Sequence, residues 1–218
     1  MSLDVLTSSA SQRWRTPAAI YQPLAEEFGG FLFDAAAERA SSIVAPVDGV
    51  PLPYFGPDHP VPYMRDMLTA DWARALGEQM LARRRTSPGY GLGNAQPAVW
   101  LNPVYGTGVS RMLARASSRA RGIGISVVCL VNAKTDTVWW RDEVVRTADE
   151  IRFYTGRICF LDGDTGLPAV NEETGQELGQ TIGSAVVVYR PWLPRGGARH
   201  LYVETPAAAK PGRAGRAR

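Results

Sequence analysis

The chain has 218 residues, 45% hydrophobic and 21% charged, which suits one soluble domain with a real core and is too short for two ordinary ones. Its formal net charge of +3 is compatible with nucleic acid without being diagnostic of it. No apolar run reaches the length of a membrane span. The start lacks a secretion-signal pattern, and two cysteines and two histidines give neither a disulfide framework nor zinc-ligand spacing.

In chain order, residues 1–13 are polar and read as a loose terminus of a single domain over 1–205. Over 17–28 the apolar Ile20, Leu24 and Phe28 share a helical face, with Thr16 as N-cap, Pro17 in the first turn and Gly29-Gly30 as the stop. Phe31-Leu32-Phe33 reads as a short buried strand that stops at Asp34, before the small residues Ala35, Ala36 and Ala37. Five prolines over 51–62 make an irregular surface excursion. A helix is predicted over 69–84 with Trp72, Leu76 and Met80 on one stripe. A Gly-rich loop follows over 86–97. Val99-Trp100-Leu101 is a second buried strand, ending at Asn102-Pro103.

A helix over 109–121 has Met112, Leu113 and Ala116 inward and Gly122 as its cap. The most apolar run, 123–131, is a central strand, and 137–149 reads as helical. Strands at 151–160 and 185–189, joined by a polar loop without a helix, are expected to pair antiparallel. Cys129 and Cys159 lie in apolar strand-like runs and read as buried thiols. The segment 206–218, with Lys210, Arg213, Arg216 and Arg218 among Pro, Gly and Ala, reads as a disordered basic tail that either holds phosphates weakly or is merely solvated.

Apolar strands alternating with helices imply an α/β fold with a mostly parallel central sheet and an antiparallel C-terminal strand. Functional residues in such sheets gather where strands end at their carboxyl side. Asp34 and Asn102 both stand there. Asn102-Pro103-Val104-Tyr105 is the segment with the clearest chemistry. An exocyclic amine on adenine is a poor nucleophile because its lone pair is delocalised into the ring. Two acceptors for its N–H bonds favour a tetrahedral nitrogen, and the Asn102 side-chain carbonyl and the Pro103 backbone carbonyl are such a pair. The Tyr105 ring can stack on a base flipped from the duplex. Asn-Pro also marks ordinary turns.

The tetrapeptide resembles the Asn/Asp-Pro-Pro-Tyr motif of amino methyltransferases, and the chain from about Trp14 to Arg190 resembles the phage-type Dam family of DNA N6-adenine methyltransferases. The matching pieces run in order. They are Trp14-Arg15-Thr16-Pro17, the stretch Phe31-Leu32-Phe33-Asp34-Ala35-Ala36-Ala37, Asp71-Trp72, Trp100-Leu101-Asn102-Pro103-Val104-Tyr105, Thr135-Asp136-Thr137-Val138-Trp139-Trp140 and Ser184-Ala185-Val186-Val187-Val188-Tyr189. Val104 departs from the pattern, which has a second proline there.

The resemblance implies a Rossmann-like fold and transfer of methyl from S-adenosylmethionine to adenine N6 in double-stranded DNA, with Asn102, Pro103 and Tyr105 catalytic. It also implies no metal and a cytoplasmic, phage or prophage orphan enzyme. Cofactor contacts would come from Thr16, Pro17, Asp34, Ala35, Ala36 and Asp71, with Asp48 as the candidate ribose acid. Helix N-capping is the rival reading of Asp34 and Asp71. DNA contacts are expected from Arg83, Arg84, Arg85, Lys134 and Trp140, with Trp139 or Trp140 in the core. Two alternatives remain at this level: another amine substrate (cytosine N4, an RNA base or a protein amide), or a binding module impaired in catalysis.

Overall fold

The computed structural model describes residues 14–43, 52–86, 97–104, 106–168, 170, 177, 179–191 and 197–212, with 83–86 as backbone. The elements are β1 (Trp14–Arg15), α1 (Ala18–Glu27), β2 (Phe31–Asp34), α2 (Trp72–Thr86), β3 (Ala98–Leu101), α3 (Val109–Ile123), β4 (Val127–Asn132), β5 (Glu150–Thr155), β6 (Leu161–Asp162), β7 (Ser184–Tyr189) and β8 (Arg199–Glu204). A π-helical segment, Trp140–Val145, precedes β5.

The six-stranded sheet has the order β2-β3-β4-β7-β5-β8. β2, β3 and β4 pair parallel, as do β5 and β8, while β7 runs antiparallel between β4 and β5. The fold is thus mixed α/β with a mostly parallel central sheet. Alternation along β4 explains its apolar continuity. Val127, Cys129 and Val131 pack with α2 and α3, and Val128 and Leu130 pack with α1 on the other face. Each fully buried Val or Leu contributes about 1.5–3 kcal/mol by area removed from water.

Several sequence expectations are corrected by packing. Pro17, not Thr16, caps α1, without a side-chain bond. Met80 is exposed although Trp72 and Leu76 are buried, because the stripe of α2 turns off the sheet after its second turn. α3 runs through Gly122 and ends at Gly124, whose φ of 78° supplies the left-handed cap. The helix expected over 137–149 is largely π-helical, with Arg146 N–H donating to the Arg141 carbonyl at 3.1 Å. The Glu143 carbonyl there accepts the Tyr189 hydroxyl at 2.7 Å and the Thr147 hydroxyl.

The antiparallel strand is not the last one, since β8 follows β7 and pairs with β5. β8 escapes a periodicity reading because four of its six residues are exposed, as at a sheet edge. The tail is ordered from 206 to 212. Ala209 is buried with the α1 cluster, and its carbonyl accepts from Cys159 N–H at 2.9 Å. Cys129 and Cys159 are both buried, and burial pushes the Cys159 thiol up to about 11.

Candidate active site

The carboxyl ends of β2 and β3 bring the site together. Asp34 closes β2 and is 2% exposed. Its Oδ1 accepts from Ala36 N–H at 3.2 Å and its Oδ2 from Ile43 N–H at 3.3 Å. Burial pushes the carboxyl up to about 7, against the opposing pull of those two N–H groups. Asp34 holds a turn rather than capping a helix. The next residue ties that turn to the neighbouring strand, Ala35 N–H donating to the Trp100 carbonyl at 2.7 Å.

Ala35 and Ala36 line a cavity of about 140 Å3 with Phe55, Asp66, Met67 and Val104. Small residues let a ligand approach the backbone closely, and the apolar Phe55, Met67 and Val104 suit a flat ring system, with Arg65 and Asp66 as the charged part of the lining. Val104 is the departure from the proline pattern, and it places the segment that follows β3 against this cavity. Phe55, inside the proline-rich stretch, and Asp66, just after it, escape a sequence reading because neither segment has a strong periodicity. The local signal there is the Asp-x-Leu-Thr of a turn.

Asn102, just past β3, is half-buried, and its Nδ2 lies 3.4 Å from the Thr16 Oγ1, at the long end for a hydrogen bond. Thr16 is itself 1% exposed, and Pro17 is buried. This contact joins positions 86 residues apart and orients the amide, with Oδ1 on the branch away from Thr16. Pro103 is buried. Tyr105 and Asp48 lie outside the described residues.

Other predicted residues stand apart from the cavity. Asp71 is exposed, and its Oδ1 accepts from Arg74 N–H at 3.1 Å, the geometry of an N-cap for α2. It does not line the cavity. Arg83, Arg84 and Arg85 belong to the last turns of α2, with side chains outside the described set. Lys134 is exposed just beyond β4, and Arg141 pairs with Asp142 at 2.8 Å.

Trp140, expected at the DNA, is placed in the core. It is 3% exposed, packed edge-on against Trp139 at 5.7 Å and tilted against Phe153 at 6.0 Å. A side chain so placed reaches DNA only by opening the core. Trp139, half-buried beside it, is the more accessible ring. Among the described residues, no group of three His, Cys, Asp or Glu converges as for a metal, and no helix is long and apolar enough to cross a membrane.

A protein-family model described as DNA N-6-adenine-methyltransferase (Dam) matches residues 91–213, more than half of the chain. Comparison with curated proteins and with solved structures gives no match.

Proposed function

The chain belongs to the DNA N-6-adenine-methyltransferase (Dam) family, and we propose on that premise that Asn102, Pro103 and Tyr105 form its reaction centre. It is an adenine-specific DNA methyltransferase that uses S-adenosylmethionine as methyl donor. In this reading Thr16, Pro17, Asp34, Ala35 and Ala36 hold the cofactor, and the sheet is Rossmann-like. The observation that supports it is that Val104 lines the same cavity as Ala35 and Ala36. The lining, mostly small or apolar with Arg65 and Asp66 as its charged members, suits a ligand with both apolar and charged parts.

The cofactor supplies a methyl group on a positively charged sulfur. The chain's residues prepare the amine. Asn102 Oδ1 and the Pro103 carbonyl accept the two N6–H bonds of the flipped adenine, which favours a tetrahedral nitrogen with a localised lone pair. As N6 gains the methyl it releases one proton, and the two acceptors meet the positive charge that develops there. Tyr105 stacks on the base. Thr16 positions the Asn102 amide. Lys134 and the run Arg83-Arg84-Arg85 contact phosphates, adding salt-dependent affinity without reading sequence. The same reading makes the protein a cytoplasmic orphan enzyme of phage or prophage origin acting on duplex DNA.

The test is transfer of labelled methyl to unmethylated duplex DNA, with nucleoside analysis of the product. Asn102→Ala is expected to lose roughly 100- to 1,000-fold in kcat, the scale of removing one prearranged polar group, while still binding S-adenosylhomocysteine. A near-wild-type rate for that variant refutes the assignment of Asn102.

A further inference from the structure

The strands assign residues to the two faces of the sheet at its carboxyl edge. On β4, Val127, Cys129 and Val131 pack with α2 and α3, and Val128 and Leu130 pack with α1. Alternation puts Asn132, the last residue of β4, on the α1 face. On the neighbouring β3, Trp100 packs with α1 and Leu101 with α2 and α3, so Asn102 also falls on the α1 face. Its contact with Thr16, just before α1, agrees with this. Ala35, Ala36, Phe55 and Val104 line the cavity from the opposite face. Asn132 and Asn102 thus end adjacent strands on one face, across the sheet edge from the proposed cofactor cavity.

Asn132 is 8% exposed, and its Oδ1 has no hydrogen-bond partner. Among the described residues no group bonds to its side-chain amide. Its cross-strand neighbour Ser184 directs its own hydroxyl to Gln180 Oε1 at 2.9 Å. The backbone here is fixed. Ala133 N–H donates to the Gly183 carbonyl at 2.7 Å, and Lys134 N–H donates to the Asn132 carbonyl at 2.8 Å. Buried side-chain polar atoms are nearly always paired, and one left unpaired destabilises the fold. A leucine would fill the same space without that cost. An unpaired amide on a fixed backbone, beside the Asn102 segment, is suited to pair with a bound ligand.

We propose that the Asn132 amide positions the target adenine by donating to a ring nitrogen that flanks N6, an inference that rests on the reading of Asn102 and Pro103 above. In that reading the two N6–H bonds go to the Asn102 Oδ1 and the Pro103 carbonyl. The flanking N1 and N7 are acceptors and need a donor, which an amide N–H supplies. Half a turn about χ2 exchanges the two ends of the amide with little change of shape, so either end presents that donor. The base is then held on the α1 face while the methyl donor approaches from the other.

Asn132→Leu removes the amide at nearly constant volume. The experiment measures its urea midpoint, its affinity for S-adenosylhomocysteine and its methyl transfer to duplex oligonucleotides. In these the methylated adenine is kept, or replaced by 1-deazaadenine or 7-deazaadenine, and Asn102→Ala is run alongside. The expected result is an unchanged or higher midpoint, unchanged S-adenosylhomocysteine affinity, and kcat/KM on adenine lowered roughly tenfold or more. Wild type is expected to lose a similar factor on one of the deaza duplexes, where Asn132→Leu loses no further activity. A near-wild-type kcat/KM for Asn132→Leu, or the same variant-to-wild-type ratio on all three duplexes, overturns the role of Asn132. So does a lowered midpoint with weakened S-adenosylhomocysteine binding, which would make the amide structural. If Asn102→Ala methylates adenine at a near-wild-type rate, the Asn102 reading fails and the inference falls with it. An inactive Asn102→Ala beside a fully active Asn132→Leu strikes the inference alone.

Discussion

Replacing Asp34 by Asn tests the electrostatics at the end of β2. The carboxyl is buried, and its ordinary value of 3.8 is raised to about 7. In the native state it binds a proton over a range in which the unfolded chain has already released it. The stability it contributes is fully present below about pH 4. It is lost progressively as pH rises, and the loss is complete once pH passes through about 7. At 1.36 kcal/mol per tenfold change in proton affinity, the loss is on the order of 4 kcal/mol.

The amide introduced by Asp34→Asn titrates nowhere in this range. It keeps one acceptor oxygen but turns an N–H2 group toward either Ala36 N–H or Ile43 N–H, which costs about 1–2 kcal/mol for the backbone donor left without its partner. The variant is therefore expected to be less stable than wild type at pH 4 and more stable by about 2–3 kcal/mol at pH 8 to 9. Urea unfolding at a series of pH values reads both curves, and their difference cancels every other titrating group. A difference independent of pH from 4 to 9 would falsify the argument, because it would mean that the carboxylate is not desolvated.

Trp140→Phe is expected to cost about 1–3 kcal/mol in unfolding free energy through lost packing, with DNA affinity measured on the folded variant within twofold of wild type. Unchanged stability with selectively weakened DNA binding would return Trp140 to the interface. Val104→Pro deletes no hydrogen bond to a described group, since none of the backbone bonds uses the Val104 N–H. It is expected to shift stability by less than about 1 kcal/mol and to leave kcat equal to or above that of wild type. A tenfold fall in kcat with the fold intact would show that the backbone after Pro103 does not follow the proline pattern.

The parts legible in the sequence are those in which burial repeats along one element. Phe31-Leu32-Phe33, Val99-Trp100-Leu101 and the run through Leu130 announce themselves because a sheet covered on both faces needs apolar residues at every position. Asp34 and Asn102 stand out because a polar residue right after such a run marks a strand's carboxyl end. β8 is invisible because an edge strand with solvent on much of its surface carries no such run. The order around Ala209 is hidden in a composition that suggests disorder, since one small residue docking on α1 leaves no pattern.

The adjacent pair Trp139 and Trp140 shows the same boundary at the scale of one peptide bond. Adjacency on a helix assigns one ring to the core, since neighbours cannot share a face, and only the packed structure, in which Trp140 begins the π-helical turn, decides which. By itself the sequence determined the α/β class and the ends of the inner strands, and it singled out Asn102-Pro103-Val104-Tyr105 as the candidate segment. The tertiary structure decided that Thr16 meets Asn102, that β7 lies between β4 and β5, and that Asp66 rather than Asp71 faces the cavity beside Ala35 and Ala36. Local patterning reports which side of an element is buried. Which elements meet, and which polar residue caps a helix while another lines a cavity, follows from sheet register and layer packing between residues far apart in the chain.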